Sequence, residues 1–255
     1  MKKESPEFVK LSLAGAMTLG FRPGRFWRDA RMTCINLLLH YDDGCAANCS
    51  YCGLARRRQA KERTFIHVPW PLESLTDIIA RINASDIPRR TCISMIIHRR
   101  TCEDTLAITR RLAAETHIPV SILLAPTITN RDYLESLRIA GARKIGIAID
   151  AATPELFAKH RGPGVQGPHK WPDYWQRLHE AAEIFGPENV SSHFVCGLGE
   201  REEDLVHCFF DVHSMGGENH LFSFYPEPGS CMGEVAPPPL DMYRRIQIAC
   251  HLVDA

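Results

Sequence analysis

Short apolar runs alternate with helix-like segments along most of this chain of 255 residues, and this alternation constrains the fold more than any other feature. Strands are predicted near residues 34, 92, 119, 144, 190 and 220, each followed by a helical pattern. Strands that alternate with helices favour a parallel sheet with right-handed crossovers. Six such units are fewer than the eight of a closed barrel. The sequence therefore predicts an α/β fold, an open, partial (β/α)6 TIM-like barrel of parallel strands.

The boundaries follow from apolar runs and from turn residues. The predicted strands are residues 34–40, 92–98, 119–124, 144–150, 190–196 and 220–225. The predicted helices between them are residues 72–82, 103–116, 131–140, 154–160, 171–185, 201–214 and 240–253. A further helix is predicted over residues 5–20, before the Arg22-Pro23-Gly24 turn. We therefore divide the chain into an N-terminal helical extension, residues 1–30, and a (β/α)6 core, residues 31–255. The loop rich in glycine and proline at 162–170 is either mobile and substrate-facing or a plain spacer.

Three cysteines directly after the first predicted strand have the spacing C-x3-C-x2-C: Cys45, Cys49 and Cys52. Three thiolates do not complete a tetrahedral zinc site, which takes four ligands. They can hold three irons of a [4Fe–4S] cluster, whose usual complement is four thiolates, so the fourth iron stays open to a ligand that is not protein. The alternative, three unrelated structural cysteines, predicts neither this spacing nor the aromatic residue Tyr51 between the last two.

This motif resembles that of the radical S-adenosylmethionine (radical SAM) superfamily, and the resemblance extends over residues 34–254. It implies a [4Fe–4S] cluster whose open iron is chelated by the methionine half of S-adenosylmethionine (SAM). It also implies that the reduced cluster cleaves SAM to a 5′-deoxyadenosyl radical, which abstracts hydrogen from the substrate. The resemblance further implies a partial (β/α)6 barrel and an electron donor such as ferredoxin or flavodoxin.

The resemblance also implies a cofactor site at the carboxyl ends of the strands, where parallel α/β folds place their ligands. Asp150 could bond the ribose hydroxyls of SAM, and its alternative role is to cap the next helix, for which Thr153 is better placed. Gly197, Gly199 and Glu200 match part of the family's G-x-I-x-G-x-x-E element beside adenine. The alternative is an ordinary turn, with Glu200 in the first turn of the next helix.

Two further residues are assigned to the SAM site by the same resemblance. Tyr51 matches the aromatic residue beside adenine, and it would otherwise be a core residue. Many members carry Gly-Gly-Glu after the second strand, but this chain has His98-Arg99-Arg100. His98, if neutral, could accept a hydrogen bond from the SAM ammonium group, or backbone carbonyls could suffice.

Seven other cysteines remain, and most of them fit the role of small buried hydrophobic residues. Cys102, Cys196 and Cys231 lie at or just beyond predicted strand ends, on the side of the cysteine motif. If the chain binds a second [4Fe–4S] cluster, these three are the predicted ligands. No compact second motif supports that cluster.

The segments 34–53 and 48–54 resemble the biotin synthase and lipoyl synthase branch, including the paired subunits of a two-component lipoyl synthase. The resemblance implies sulfur insertion into an octanoyl chain on a protein lysine. It also implies two partners, a related radical SAM subunit and a lipoyl-domain carrier protein. Alternatives are a carbon-skeleton rearrangement, a methylthiolation, or an iron–sulfur electron carrier or scaffold without turnover.

Charge and hydropathy limit the partners and the location of the protein. The formal net charge is zero, which does not favour nucleic acid as a partner. An RNA-modifying enzyme would have to use a local basic run for phosphate contacts, and the candidates are Arg56, Arg57, Arg58, Lys61 and Arg63. No apolar stretch approaches the ~18 residues of a membrane span. Because thiolates that bind iron need a reducing compartment, we expect a cytoplasmic protein.

Overall fold

The structure, a computed structural model, describes residues 2–60 and 64–255. Its strands in this part of the chain are β1 (Phe8–Leu11), β2 (Cys34–Leu39), β3 (Leu72–Ser74), β4 (Arg90–Ser94), β5 (Val120–Leu124), β6 (Ala142–Asp150), β7 (Val190–Cys196) and β8 (Glu218–Ser223). They form one sheet in the order β3-β1-β2-β4-β5-β6-β7-β8.

Six of these strands are parallel neighbours, from β2 through β4, β5, β6 and β7 to β8. A helix follows each of them in the chain: α2 (Leu75–Asn83), α3 (Thr101–Glu115), α4 (Arg131–Ile139), α5 (Pro154–His160) with α6 (Trp171–Phe185), α7 (Glu202–Ser214) and α8 (Leu240–Asp254). The sheet does not close, because β8 pairs only with β7. The predicted open, partial (β/α)6 barrel is confirmed.

A large part of the core lies between one face of this sheet and the helices. In β6, Ile145, Ile147 and Ile149 have no exposed surface, whereas the residues between them belong to the opposite face. Burying an isoleucine side chain completely contributes about 1.5–3 kcal/mol, so the alternation fixes which face of β6 meets the helices. Leu37 of β2, opposite Ile93 of β4, continues the same buried row.

The helix predicted over residues 5–20 is wrong in its first half. Phe8–Leu11 is strand β1, which pairs antiparallel with both β2 and β3, and only Leu13–Thr18 is helical (α1). Val9 and Leu11 are buried and alternate with half-buried residues, a period of two that pairing with β2 selects over helical propensity. Helix α1 begins at Ser12, whose Oγ accepts a hydrogen bond from Gly15 N at 3.0 Å. The division of the chain at residue 30 stays a prediction.

Two strands lie earlier in the chain than predicted. β4 ends at Ser94 rather than residue 98, and β8 begins at Glu218 and ends at Ser223. His98 therefore lies four positions beyond β4, just before α3. None of the helices in the described ranges is both long and apolar enough to cross a bilayer.

Candidate metal and cofactor site

The cysteine motif occupies the loop after β2, at the carboxyl edge of the parallel strands. Gly44 opens the turn with a φ of 73°, a left-handed conformation that glycine adopts without steric cost. Ala46 N then donates to Ile97 O at 2.7 Å, and Ile97 N lies 3.4 Å from the Cys45 sulfur. The loop after β4 thus holds the first cysteine, as the strand-end rule predicts.

All three cysteines of the motif are free thiols. Cys49 is buried, and Cys45 and Cys52 are half-buried. Burial raises the pKa of each thiol, and the Cys49 thiolate raises the pKa of Cys52 further. The three sulfurs therefore lie close enough to interact, and at neutral pH they are protonated until a metal replaces the protons.

This donor set fits a cluster better than a single ion. In residues 2–60 and 64–255, no three His, Cys, Asp or Glu side chains converge on one metal position. In a [4Fe–4S] cluster each thiolate binds a different iron, so the sulfurs need only surround a common volume. Cys45, Cys49 and Cys52 lie in one loop, and the charges of Cys45 and Cys49 raise the pKa of Cys52, so their chemistry fits such a cluster.

Tyr51 and Asp150, both assigned to the SAM site by the resemblance, are in direct contact. The Tyr51 hydroxyl donates to Asp150 Oδ2 at 2.6 Å. Asp150 is the last residue of β6 and has a φ of 65°, a conformation that is uncommon outside glycine and often found at functional sites. The alternative role of Asp150 as a helix cap is not observed, because Thr153 Oγ1 caps α5 by accepting from Leu156 N at 3.3 Å.

Arg161, which the sequence reasoning missed, completes this group. It follows α5, is buried, and places Nη1 3.2 Å from Asp150 Oδ2. Nη1 also donates to Ile149 O at 2.9 Å, and Nη2 donates to the Tyr174 hydroxyl at 3.2 Å. Its charge lowers the pKa of Cys49 against the larger effect of burial. A guanidinium between a carboxylate and a thiol compensates negative charge at the cysteine loop.

The Arg161 Nε atom is buried and has no hydrogen-bond partner within the described protein. An unpartnered buried donor costs free energy unless a ligand supplies an acceptor. The carboxylate of SAM is an acceptor of this kind, so the site fits that cofactor as well as the cluster.

His160, the residue before Arg161, holds the centre of the cysteine loop. Ser50 N donates to His160 O at 2.9 Å, and Ser50 Oγ lies 2.8 Å from His160 Nδ1. The other ring nitrogen lies 2.9 Å from Leu198 O. A carbonyl only accepts, so Nε2 carries the proton and Nδ1 accepts from Ser50. Burial lowers the pKa of His160, in keeping with a neutral ring in this role.

The Gly197-Leu198-Gly199-Glu200 turn follows β7 as predicted, but Glu200 serves the turn itself. Its carboxylate accepts from Gly197 N at 2.6 Å and from Leu198 N at 2.8 Å. Gly197 has a φ of 110°, and a Cβ there would lie 2.8 Å from Pro238 Cδ. Gly199 also has a left-handed φ, of 112°. Backbone conformation and packing account for these glycines, and the assignment of Gly197, Gly199 and Glu200 to the SAM site stays a prediction. Helix α7 begins after it, at Glu202.

His98 is engaged on both ring nitrogens. Nε2 lies 3.1 Å from Asp43 Oδ1, and Nδ1 accepts from Arg100 N at 3.2 Å. The ring stacks on Tyr41 with centroids 3.7 Å apart. Accepting a hydrogen bond from a ligand would require His98 to break one of these contacts, so its assignment to the SAM ammonium stays a prediction without support from the geometry.

The structure does not gather Cys102, Cys196 and Cys231. Cys102 lies in the first turn of α3, where its sulfur is 3.4 Å from Ile128 O. Cys196 is buried at the end of β7, and Cys231 is exposed. Within residues 2–60 and 64–255, these three cysteines do not form a group that could hold a metal ion. A second cluster on these three residues stays a prediction that would need them to move together.

The basic run after Cys52 is divided between surface and interior. Arg56 is exposed and donates to Ala46 O and Gln166 O, and Arg57 is exposed and contacts the Gln166 side chain. The loop at 162–170 thus packs on the cysteine loop. Arg58 is buried in an ion pair with Glu227, so it is not available to phosphates. Lys61 and Arg63 lie outside the described residues.

Comparison with known proteins gives one family and several relatives. The family model described as Radical SAM superfamily matches residues 41–212. The chain is similar to a biotin synthase of Streptococcus agalactiae serotype V, 26% identical over 186 residues that cover 71% of this chain and 52% of the relative. A biotin synthase of Akkermansia muciniphila is also 26% identical, over 198 residues that cover 76% of this chain and 57% of the relative. The chain thus spans about half the length of these curated relatives.

Two solved structures share the fold at low sequence identity. HydG, a maturase of the [FeFe]-hydrogenase, has a TM-score of 0.60 at 10% identity, covering 83% of this chain and 48% of HydG. The methyltransferase TsrM from Kitasatospora setae, solved with cobalamin and a [4Fe–4S] cluster, has a TM-score of 0.51 at 16% identity, covering 81% of this chain and 39% of TsrM. At these identities the likeness concerns the fold alone.

Proposed function

The chain belongs to the radical SAM superfamily, in its biotin synthase-like branch, and from that premise we propose that it inserts sulfur into an octanoyl chain carried on a protein lysine. Its cofactors are a [4Fe–4S] cluster and SAM. When bound, they supply the 5′-deoxyadenosyl radical that abstracts hydrogen from an unreactive carbon, for which no side-chain base suffices.

One observation supports the proposed radical chemistry above the others. Three coupled thiols lie at the carboxyl end of the first parallel strand, in a loop that the buried Arg161 faces. Cys45, Cys49 and Cys52 would hold the cluster. Arg161 would compensate the charge of the thiolates, and its unpartnered Nε would donate to the SAM carboxylate.

Tyr51 and Asp150 would form the wall of the SAM site on the side of β6. The Asp150 carboxylate is held in place by Tyr51 and Arg161, so its orientation is fixed before a ligand arrives. A fixed acceptor suits a ribose hydroxyl because little entropy is lost when it binds. Gly197 and Gly199 would shape the adjoining turn.

The proposed substrate and partners depend on the relatives of the chain and on the open side of its barrel. Biotin synthase is the name of the curated relatives, and the motif itself resembles the two-component lipoyl synthases. β8 lies at one edge of the sheet, so the barrel is open on that side. An open side would admit a substrate that is tethered to a carrier protein. We place the protein in the cytoplasm with a ferredoxin- or flavodoxin-type donor, a related radical SAM subunit and a lipoyl-domain carrier.

Hydrogen transfer from a labelled substrate tests this proposal. The anaerobically reconstituted protein is given dithionite, SAM and a lipoyl-domain peptide whose octanoyl-lysine is perdeuterated. We expect methionine and deuterium-containing 5′-deoxyadenosine, both measured by mass spectrometry. Unlabelled 5′-deoxyadenosine would reject the octanoyl substrate and leave the radical chemistry intact, whereas no 5′-deoxyadenosine would reject both.

Iron content tests the second cluster. If Cys102, Cys196 and Cys231 bind one, the reconstituted chain holds about eight irons and the Cys102→Ala/Cys231→Ala variant about four. Because these residues are apart in the structure, we expect about four irons in both proteins. Near eight irons in the wild type alone would contradict this expectation. A single cluster would place the sulfur source on the partner protein.

A further inference from the structure

The loop that follows β8 crosses the carboxyl edge of the barrel and contacts the segment that follows Cys52. Its central residue, Glu227, is 4% exposed. The Glu227 carboxylate accepts from Thr64 Oγ1 at 2.6 Å and from His67 N at 2.8 Å. One oxygen also lies 3.5 Å from Arg58 Nη2. A glutamate is rarely this buried unless it is paired, and the carboxylate partners in the described residues are Arg58, Thr64 and His67.

Arg58 carries this contact back to the cysteine motif. Its Nη1 donates to Gly53 O at 2.7 Å and to Thr64 O at 3.1 Å. Its Nε donates to Pro228 O at 2.8 Å. Gly53 directly follows Cys52, so the planar guanidinium fixes the exit of the motif against the loop after β8.

The two backbones meet so closely that only glycine fits at the crossing points. Gln59 N donates to Gly229 O at 3.1 Å, and a Cβ at Gly229 would lie 2.3 Å from Gln59 O. A Cβ at Gly53 would lie 2.0 Å from Thr64 O. Met232 N reaches the motif itself by donating to Ser50 O at 3.1 Å.

These contacts join the two ends of the parallel sheet. β2 and β8 are separated by β4, β5, β6 and β7 and do not pair with each other. In the absence of strand pairing, the loop after β8 supplies a connection across the open barrel. Its anchor is a buried ion pair, and removing one partner of such a pair leaves the other charge uncompensated.

We propose that Glu227 is a positioning residue, which holds Cys52 and Gly53 in their cluster-binding conformation through Arg58 and Thr64. The loop after β8 is then a latch that retains the cluster. This inference rests on the proposed function, because it takes Cys45, Cys49 and Cys52 as the cluster ligands.

The test compares two buried acidic residues that each pair with an arginine. Glu227→Gln removes the charge of the latch. Glu180→Gln removes the charge of a pair within α6, in which Arg177 and Glu180 side chains are 10% and 15% exposed.

Hydrogen–deuterium exchange is measured on the metal-free chains, and release of iron to a chelator is measured on the reconstituted ones. Glu227→Gln should speed exchange in residues 45–60 and iron release about tenfold or more, the scale of a lost charge-assisted hydrogen bond. Glu180→Gln should change neither.

A double variant shows whether Glu227 acts through Arg58. If it does, Arg58→Gln/Glu227→Gln releases iron no faster than the faster single variant, because both changes break one connection. Equal effects of Glu227→Gln and Glu180→Gln, or additive effects in the double variant, would overturn the proposal. The exchange measurement needs neither iron nor SAM, so a failed latch is distinguishable from a failed radical SAM function.

Discussion

Replacing Cys49 with alanine is expected to abolish cluster binding and, with it, the formation of 5′-deoxyadenosine from SAM. One iron of the cluster already lacks a protein ligand, and the variant would leave only Cys45 and Cys52 to hold the other three. Iron content should fall from about four per chain to near zero. Iron analysis and chromatography of the SAM products measure the two losses separately.

Cys208→Ala is the matched control for this experiment. Cys208 is also a buried free cysteine, but it lies in α7, where its sulfur is 3.3 Å from Ala152 O. We expect this variant to keep its iron and its SAM cleavage, and to lose only the packing of one small side chain. Equal iron content in Cys49→Ala and the wild type would contradict the assignment of the motif.

The architecture was predictable because local patterns determine it. Each short apolar strand is followed by a helix, so the strand–helix unit repeats along the sequence. Six such units indicate an open barrel. β1 was not predictable in this way. Its four residues become a strand because β2 and β3 lie on either side of it, and no local pattern reports the presence of distant partners.

The residues of the candidate site also differ in how well a local sequence pattern indicates them. The cysteine motif and Asp150 were found because they follow strands, and carboxyl ends of parallel strands converge. Arg161 and Glu227 were missed because their contacts join different elements of the fold, although those of Arg161 with Ile149 and Tyr174 span only 12 and 13 positions. Glu227 meets Thr64 across 163 positions of sequence.

Glu200 has a local role in the structure that the motif match did not predict. Its carboxylate is occupied by two amides of its own turn. A carboxylate three residues after a left-handed glycine can satisfy the backbone that the turn leaves unpaired. These two bonds explain the shape of the turn, and a role of Glu200 at the SAM site stays a prediction.

Arg161→Met is expected to destabilise the protein and to release the cluster. The variant keeps an unbranched apolar stem but leaves Asp150 without its cation in a site where the two side chains are 8% and 14% exposed. Breaking a buried pair in this way costs about 3–5 kcal/mol of unfolding free energy. The cysteine loop also loses a charge that lowers the pKa of Cys49, so iron should bind less tightly at neutral pH. Chemical denaturation and iron analysis measure these two effects.

Arg177→Met separates the role of Arg161 at the cluster from its role in stability. Arg177 is also buried and pairs with Glu180 within α6, so its loss should cost comparable stability while the iron content stays at the wild-type level. Arg161→Lys should recover part of the iron, since it restores the charge but cannot reach Ile149 O, Tyr174 and Asp150 together. If Arg161→Met and Arg177→Met lost iron in proportion to their stability, Arg161 would be a structural residue. If Arg161→Met alone lost iron, its charge would be part of what allows three buried thiols to bind a cluster.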